Sequence, residues 1–217
     1  MREKVVIVDY GTGNLRSVAR AVAQCGQEPL LTSDIQEIDR ASRVILPGVG
    51  AFASCVDALR AHGLVEAVSR AMEDGRPVLG ICVGMQMLLD GSEELGITEG
   101  LGRIPGWVKG IPDRGADSQP HRIPHMGWAE LRPAGAAWEG TILEGVVSGS
   151  ACYFAHSFVA HPAQAANRLA VCDYNGLTLC AAVRLNNLYG VQFHPEKSGP
   201  VGLRILANFL RLPATPV

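Results

Sequence analysis

The strongest constraint in this chain is an alternation. Four short apolar runs, Val5-Val6-Ile7-Val8, Leu30-Leu31, Arg43-Val44-Ile45-Leu46 and Val78-Leu79-Gly80-Ile81, are separated by longer segments of helical periodicity. Runs this short and this uniformly apolar are buried on both faces, which is the lot of strands in a parallel sheet covered by helices. Strand, helix, strand in succession is the signature of βαβ units. Between the first two runs, Leu15, Val18, Ala19, Val22 and Ala23 share one helical face, and Gly26 supplies the stop. Ser33 and Asp34 can cap a short helix before the third run, and Leu64, Val65, Val68 and Met72 mark another that ends near Gly75. With 217 residues, 47% of them hydrophobic, the chain can bury roughly 70% of its unfolded surface, enough for a full α/β core.

The second half reads as largely β. Gly and Pro are frequent from Gly100 to Pro124, and Gly115 to Gln119 is expected to be a mobile loop. Tyr153 to Val159, Arg168 to Tyr174 and Thr178 to Leu185 are strand candidates; Asn186-Asn187 turns the chain into Leu188 to Phe193, and Gly202 to Leu210 closes as a helix. No linker or repeat interrupts the chain, so 1–217 is expected to be one domain. The net charge of -2, with no run of Lys or Arg beyond two, gives no footprint for nucleic acid or an anionic membrane. Six cysteines without a C-x-x-C pair read as free thiols. The first strand starts almost at the initiator and no apolar stretch approaches the ~18 residues of a membrane span, so a cytoplasmic location is expected.

Gly80-Ile81-Cys82-Val83-Gly84 sets a nucleophile between glycines at minus two and plus two, after an apolar strand and before a helix-compatible Met85-Gln86-Met87-Leu88-Leu89. This is a nucleophile elbow with cysteine in place of serine. The turn is so tight that side chains two positions away collide, and the helix start beneath it favours thiolate. Near the other end, Val191-Gln192-Phe193-His194-Pro195-Glu196 reads as the end of a strand, where residues i and i+2 share a face. His194 and Glu196 then stand side by side, the carboxylate orienting the imidazole and the imidazole facing a thiol. Pro47-Gly48-Val49-Gly50 follows the third strand at the same end of the sheet. Backbone N–H groups at Val49 and Gly50, with that of Val83, can form an oxyanion hole; an ordinary βα turn is the alternative. Two decoys are set aside. Gly11-Thr12-Gly13 lacks the third glycine of a dinucleotide fingerprint, since Arg16 stands there, so no nucleotide cofactor is expected. His121 and His125 have zinc-like spacing, but Pro120 and Pro124 exclude the helix that would bring the rings together, so no metal is expected.

With these motifs in hand, the chain resembles the class I, or triad, glutamine amidotransferases over nearly its whole length. More narrowly, Asp9-Tyr10-Gly11-Thr12-Gly13-Asn14-Leu15, Gly80 to Gln86, Pro124-His125-Met126-Gly127-Trp128 and Phe193 to Ser198 are similar to the glutaminase subunits of imidazole glycerol phosphate synthase. The resemblance implies an α/β, flavodoxin-like fold: an open, mostly parallel sheet flanked by helices, with an antiparallel β extension in the C-terminal half. It implies a Cys82-His194-Glu196 triad that hydrolyses glutamine, and a (β/α)8 cyclase subunit that receives the ammonia in a heterodimer. It further implies that Gln86, Glu94 and Ser157 bind the α-amino and α-carboxylate ends of glutamine, Gln86 meeting the carboxylate. Asn14, Trp128, Tyr153 and Lys197 then face the partner. The residues alone also admit a stand-alone γ-glutamyl Cys hydrolase, or the glutaminase subunit of another synthase.

Overall fold

The apolar runs become neighbouring strands of one sheet. In a computed structural model describing residues 4–135 and 137–213, the first half folds as β1 (Val5–Val8), α1 (Leu15–Gln24), β2 (Leu30–Thr32), α2 (Ile35–Asp39), β3 (Arg43–Gly48), α3 (Phe52–Ala61), α4 (Val65–Glu73), β4 (Val78–Cys82) and α5 (Val83–Gln86). Every residue of β1, β3 and β4 is buried, as two-sided helix cover requires. Gly26 ends α1 at φ +88°, and the Asp34 carboxylate caps α2 by accepting from Gln36 N at 2.8 Å.

The second half contributes β5 (Leu89–Ser92), β6 (Thr98–Glu99), β7 (Ile104–Gly110), β8 (His125–Glu130), β9 (Arg132–Pro133), β10 (Ala151–His156), β11 (Phe158–Pro162), β12 (Arg168–Tyr174), β13 (Leu177–Leu185), β14 (Leu188–Val191) and α6 (Gly199–Arg211). The central sheet runs β2-β1-β3-β4-β14-β13-β12-β9. Its β2, β1, β3, β4 and β14 strands are parallel, while β13, β12 and β9 extend it antiparallel, which is the expected mixed architecture. Smaller sheets, β10-β8 and β11-β7-β5-β6, complete the β half. Among the described residues no helix is long and apolar enough to cross a membrane.

Four local expectations change. The helix after Cys82 is a single turn, and Leu89 belongs to a strand, because the chain must leave the elbow at once to pair β5 with β7. The run 153–159 breaks at Ser157 into β10 and β11, which belong to different sheets. The strand before His194 stops at Val191, and Glu196 lies in a 3-10 turn, Pro195–Lys197, as the fixed φ of Pro195 favours. Gly115 to Gln119 is a hydrogen-bonded turn, with Gly115 N to Gln119 O at 2.9 Å and Ala116 N to Asn175 O at 3.0 Å.

The carboxyl ends of β3, β4 and β14 meet through glycines. A Cβ on Gly84 would stand 1.8 Å from the Leu46 carbonyl oxygen, and one on Gly80 would stand 2.5 Å from the Gly84 carbonyl oxygen. The elbow glycines are thus required by backbone packed on backbone, in the turn itself and against β3. Gly84→Ala should lower the unfolding free energy by at least ~2 kcal/mol, since no flexible side chain can move aside. A denaturant titration giving a loss within ~0.5 kcal/mol would contradict this packing.

Candidate active site

Cys82 ends β4 at φ 55°, ψ -113°, a conformation that non-glycine residues rarely adopt. Such strain costs on the order of 1–3 kcal/mol and persists only where the surroundings enforce it. Here the flanking strands do so: Cys82 is in register with Gly48 of β3, and Val191 of β14 is in register with Ile81. The thiol stands at the end of a cavity of about 390 Å³ lined by Val49, Gly50, Val83, Gln86, Glu94, Ser157, His194 and Lys197, among others. The structure therefore gathers the expected nucleophile, base, oxyanion-loop and glutamine-end residues around one space.

His194 approaches Cys82 and turns its Nδ1 to Glu196 Oε1 at 2.9 Å. Its own N–H donates to the Tyr153 carbonyl at 2.9 Å, and its carbonyl accepts from Ser198 Oγ at 2.7 Å. Ser198 Oγ in turn accepts from Tyr153 N at 3.0 Å, so β10 and the 3-10 turn hold the imidazole from both sides. Burial alone would depress the His194 pKa, but hydrogen bonds and charge interactions with Cys82 and Glu196 outweigh it and raise the pKa to about 9. α5 is a single turn, so its dipole beneath Cys82 is small, and the charged neighbour of the thiol is the His194 imidazole.

Gln192 is a buried neighbour of the thiol to which the sequence reading gave no role. Fully buried, it donates from Nε2 to Cys82 Sγ at 3.7 Å and accepts at Oε1 from Gln86 Nε2 at 3.0 Å. Gln86 Nε2 also donates to the Phe158 carbonyl at 3.1 Å. Both amide hydrogens of Gln86 are thereby engaged, and a carbonyl partner rules out the flipped amide. The atom left for a ligand is Oε1, an acceptor, which suits an ammonium rather than the carboxylate expected for Gln86. Glu94 has one oxygen committed as well, Oε2 accepting from Phe52 N at 2.8 Å at the start of α3.

The description Glutamine amidotransferase class-I belongs to the family model that matches residues 6–212. The chain is a class I glutamine amidotransferase. It is 46% identical over 210 residues to the imidazole glycerol phosphate synthase subunit HisH 1 of Legionella pneumophila (strain Lens), covering 96% of this chain and 99% of that protein. The corresponding HisH subunit of Syntrophotalea carbinolica is 46% identical over 209 residues, with coverage of 94% and 98%. A solved structure described as a glutamine amidotransferase superposes with a TM-score of 0.71 at 22% identity, over 95% of this chain and 97% of that one.

Of the remaining expected residues in this amidotransferase, Lys197 lines the cavity, and Tyr153 and Trp128 follow outward from it. Lys197 Nζ sits 5.6 Å above the Tyr153 ring, which meets Trp128 edge-on at 6.0 Å. Trp128 is 59% exposed and its neighbour Met126 64%. Asn14 opens α1, which contacts the turn bearing Lys197. His121 and His125 lie against the Tyr174 ring, at 5.0 and 4.2 Å.

His125 instead meets His156, Nδ1 to Nε2 at 3.0 Å, while His156 Nδ1 donates to the Phe158 carbonyl at 2.8 Å. That donation fixes the neutral tautomer, with His156 Nε2 accepting from His125. Burial pulls the His156 pKa from 6.5 down to about 4, with His125 and His194 adding like-charge repulsion. Above pH 6.5 His156 is neutral in both folded and unfolded chains. As pH falls the unfolded chain takes the proton first, so stability is lost between about 6.5 and 4. The amidotransferase should therefore lose melting temperature from pH 7 to pH 4.5 more steeply than its His156→Gln variant. Equal acid slopes in calorimetry would show that His156 is not held neutral.

Proposed function

We propose that this amidotransferase is the glutaminase subunit of imidazole glycerol phosphate synthase, with Cys82, His194 and Glu196 as its triad. The subunit assignment rests on the 46% identity to the HisH subunits across nearly the full length of both chains. The chemistry rests on one arrangement, an imidazole placed between a strained, buried thiol and a carboxylate.

Cys82 attacks the side-chain amide carbon of glutamine as thiolate, and the carbonyl oxygen becomes an oxyanion facing N–H groups of Val49, Gly50 and Val83. His194, kept protonated at neutral pH, gives its proton to the departing nitrogen as the C–N bond breaks and ammonia leaves. A γ-glutamyl thioester remains. Neutral His194 then takes a proton from water, whose oxygen attacks the thioester, and glutamate is released as the thiolate and imidazolium re-form. Glu196 holds the ring throughout. The carbonyl of Gln86 and the carboxylate of Glu94 receive the α-ammonium, and Ser157 faces the α-carboxylate.

Ammonia needs a second active site. We assign that role to a cytoplasmic (β/α)8 cyclase subunit docked over the Trp128, Tyr153 and Lys197 face with Asn14 at its border. Exposed Met126 and Trp128 beside the cavity mouth support a protein-covered surface there.

Cys82→Ala should abolish glutamate release while the complex still makes product from added ammonia. His194→Asn should cost ~10²–10⁴-fold in kcat, and Glu196→Gln less, because it orients rather than transfers the proton. A coupled glutamate assay that finds activity in Cys82→Ala overturns the triad. Loss of ammonia-dependent synthesis as well would mean the substitution disrupts the complex.

A further inference from the structure

The oxyanion loop is gripped from beneath by side chains that never reach the cavity. Tyr10, fully buried just past β1, donates its hydroxyl to the Pro47 carbonyl at 2.5 Å. Cys55, fully buried in the first turn of α3, donates its thiol hydrogen to the Val49 carbonyl at 3.4 Å. Thr12 Oγ1 lies 3.7 Å from Cys55 Sγ. A thiol has one hydrogen, already directed at Val49, so the Thr12 hydroxyl is the donor to sulfur. Tyr10, Thr12 and Cys55 are absent from the cavity wall, whereas Val49 and Gly50 form part of it.

A trans peptide points its C=O and N–H in opposite directions. With the Val49 carbonyl drawn into the core by Cys55, the N–H of Gly50 is turned the other way, toward the cavity. Gly50 adopts φ +98° with nothing within 4 Å of a would-be Cβ, so neither sterics nor packing at that residue selects this orientation. Rotated over, the same peptide would present a carbonyl to a developing negative charge. The hydrogen bonds to Pro47 and Val49 favour the observed orientation. Glu94 adds a third anchor by accepting from Phe52 N at the far end of the loop.

We propose that Tyr10 and Cys55 are positioning residues that hold the carbonyls of Pro47 and Val49 on the core side, so that the loop offers N–H rather than C=O to the reacting oxygen. The idea rests on the oxyanion role given to this loop above. The clamp acts only where negative charge develops on oxygen. It therefore affects acylation of Cys82 by glutamine and leaves simple displacement at the same sulfur untouched.

The test uses the full chain with its cyclase subunit. Glutamine turnover is measured in Tyr10→Phe, Cys55→Ala and Cys55→Ser, beside the rate at which iodoacetamide alkylates Cys82, followed by peptide mass. Iodoacetamide reacts by displacement of iodide and forms no oxyanion. Tyr10→Phe and Cys55→Ala should each lower kcat about tenfold or more, a fraction of the ~10²–10³ that an oxyanion donor contributes, with KM changed less than about twofold. Alkylation at Cys82 should proceed at the wild-type rate. Cys55→Ser, whose hydroxyl can donate to the same carbonyl, should recover most of the loss.

Three results overturn the clamp: unchanged kcat in both Tyr10→Phe and Cys55→Ala, an alkylation rate that falls in step with kcat, or a serine variant no better than alanine. Gly50→Val separates the clamp from the reading beneath it. A β-branched residue cannot hold φ +98° without strain, so full turnover in Gly50→Val would remove the loop from the oxyanion site altogether. An inactive Gly50→Val together with normal Tyr10→Phe and Cys55→Ala would remove only the clamp.

Discussion

The site depends on a contact between two backbones. The carbonyl of Leu46 occupies the volume where a side chain on Gly84 would begin, and a Cβ on Gly48 would stand 2.8 Å from the amide nitrogen of Gly84. Because nothing but main chain separates them, the end of β3 and the elbow after β4 move as one body. That fixes the distance between the loop after β3 and the Cys82 thiol with the stiffness of a sheet. The third participant, β14, is brought in through a side chain instead: a Cβ on Gly190 would fall 2.3 Å from Met85 Cγ, so the strand leading to His194 packs against that side chain of the elbow helix. Nucleophile, base and loop come from three separate stretches of chain, yet their relative positions follow from glycine at three contacts.

The same close packing decided what could be read from the residues. β1, β3 and β4 were legible because two-sided burial leaves an unbroken apolar run, and the elbow because Gly80 and Gly84 bracket Cys82 at positions where backbone contact forbids a side chain. β7 and β8 were not singled out. Each alternates buried and exposed positions and carries Gly, Pro or charged residues on its open face, so no run marks it. His194 and Glu196 were paired for a reason that does not apply. They face each other across a 3-10 turn rather than along a strand, and a Cβ on Gly202 would fall 1.9 Å from the Pro195 carbonyl, which shows how tightly α6 presses on that turn. Spacing alone cannot distinguish these two ways of bringing i and i+2 together.

Gln192 marks the limit more sharply. A glutamine at the end of a fully buried strand gives no hint of which side chain it will meet, and here it joins the thiol to the residue that lines the substrate cavity. The orientation of Gln86 follows from acceptors that the sequence does not reveal. One is the Gln192 amide oxygen. The other is the Phe158 carbonyl, which exists as an exposed acceptor only because β10 and β11 part at Ser157 to join different sheets. The break that defeated the reading of 153–159 as one strand thus sets the polarity of the cavity wall.

That polarity has a consequence for specificity. The Phe158 carbonyl accepts from both Gln86 and His156, and His156 must stay neutral in a buried pair for its Nε2 to keep accepting from His125. With both Gln86 hydrogens taken, the wall presents the Gln86 carbonyl and the remaining oxygen of Glu94, two acceptors, beside the thiol. Two acceptors with one negative charge between them favour an ammonium and repel a second carboxylate. Glutamine and glutamate carry the same α-ammonium and differ at the far end. In the mechanism proposed above, an ammonium anchored here places that far end at Cys82, where the imidazolium and backbone N–H groups donate to an amide oxygen that becomes an oxyanion. On that proposal recognition and chemistry are divided along the substrate: hydrogen-bond acceptors hold the end common to substrate and product, and donors gather where negative charge appears.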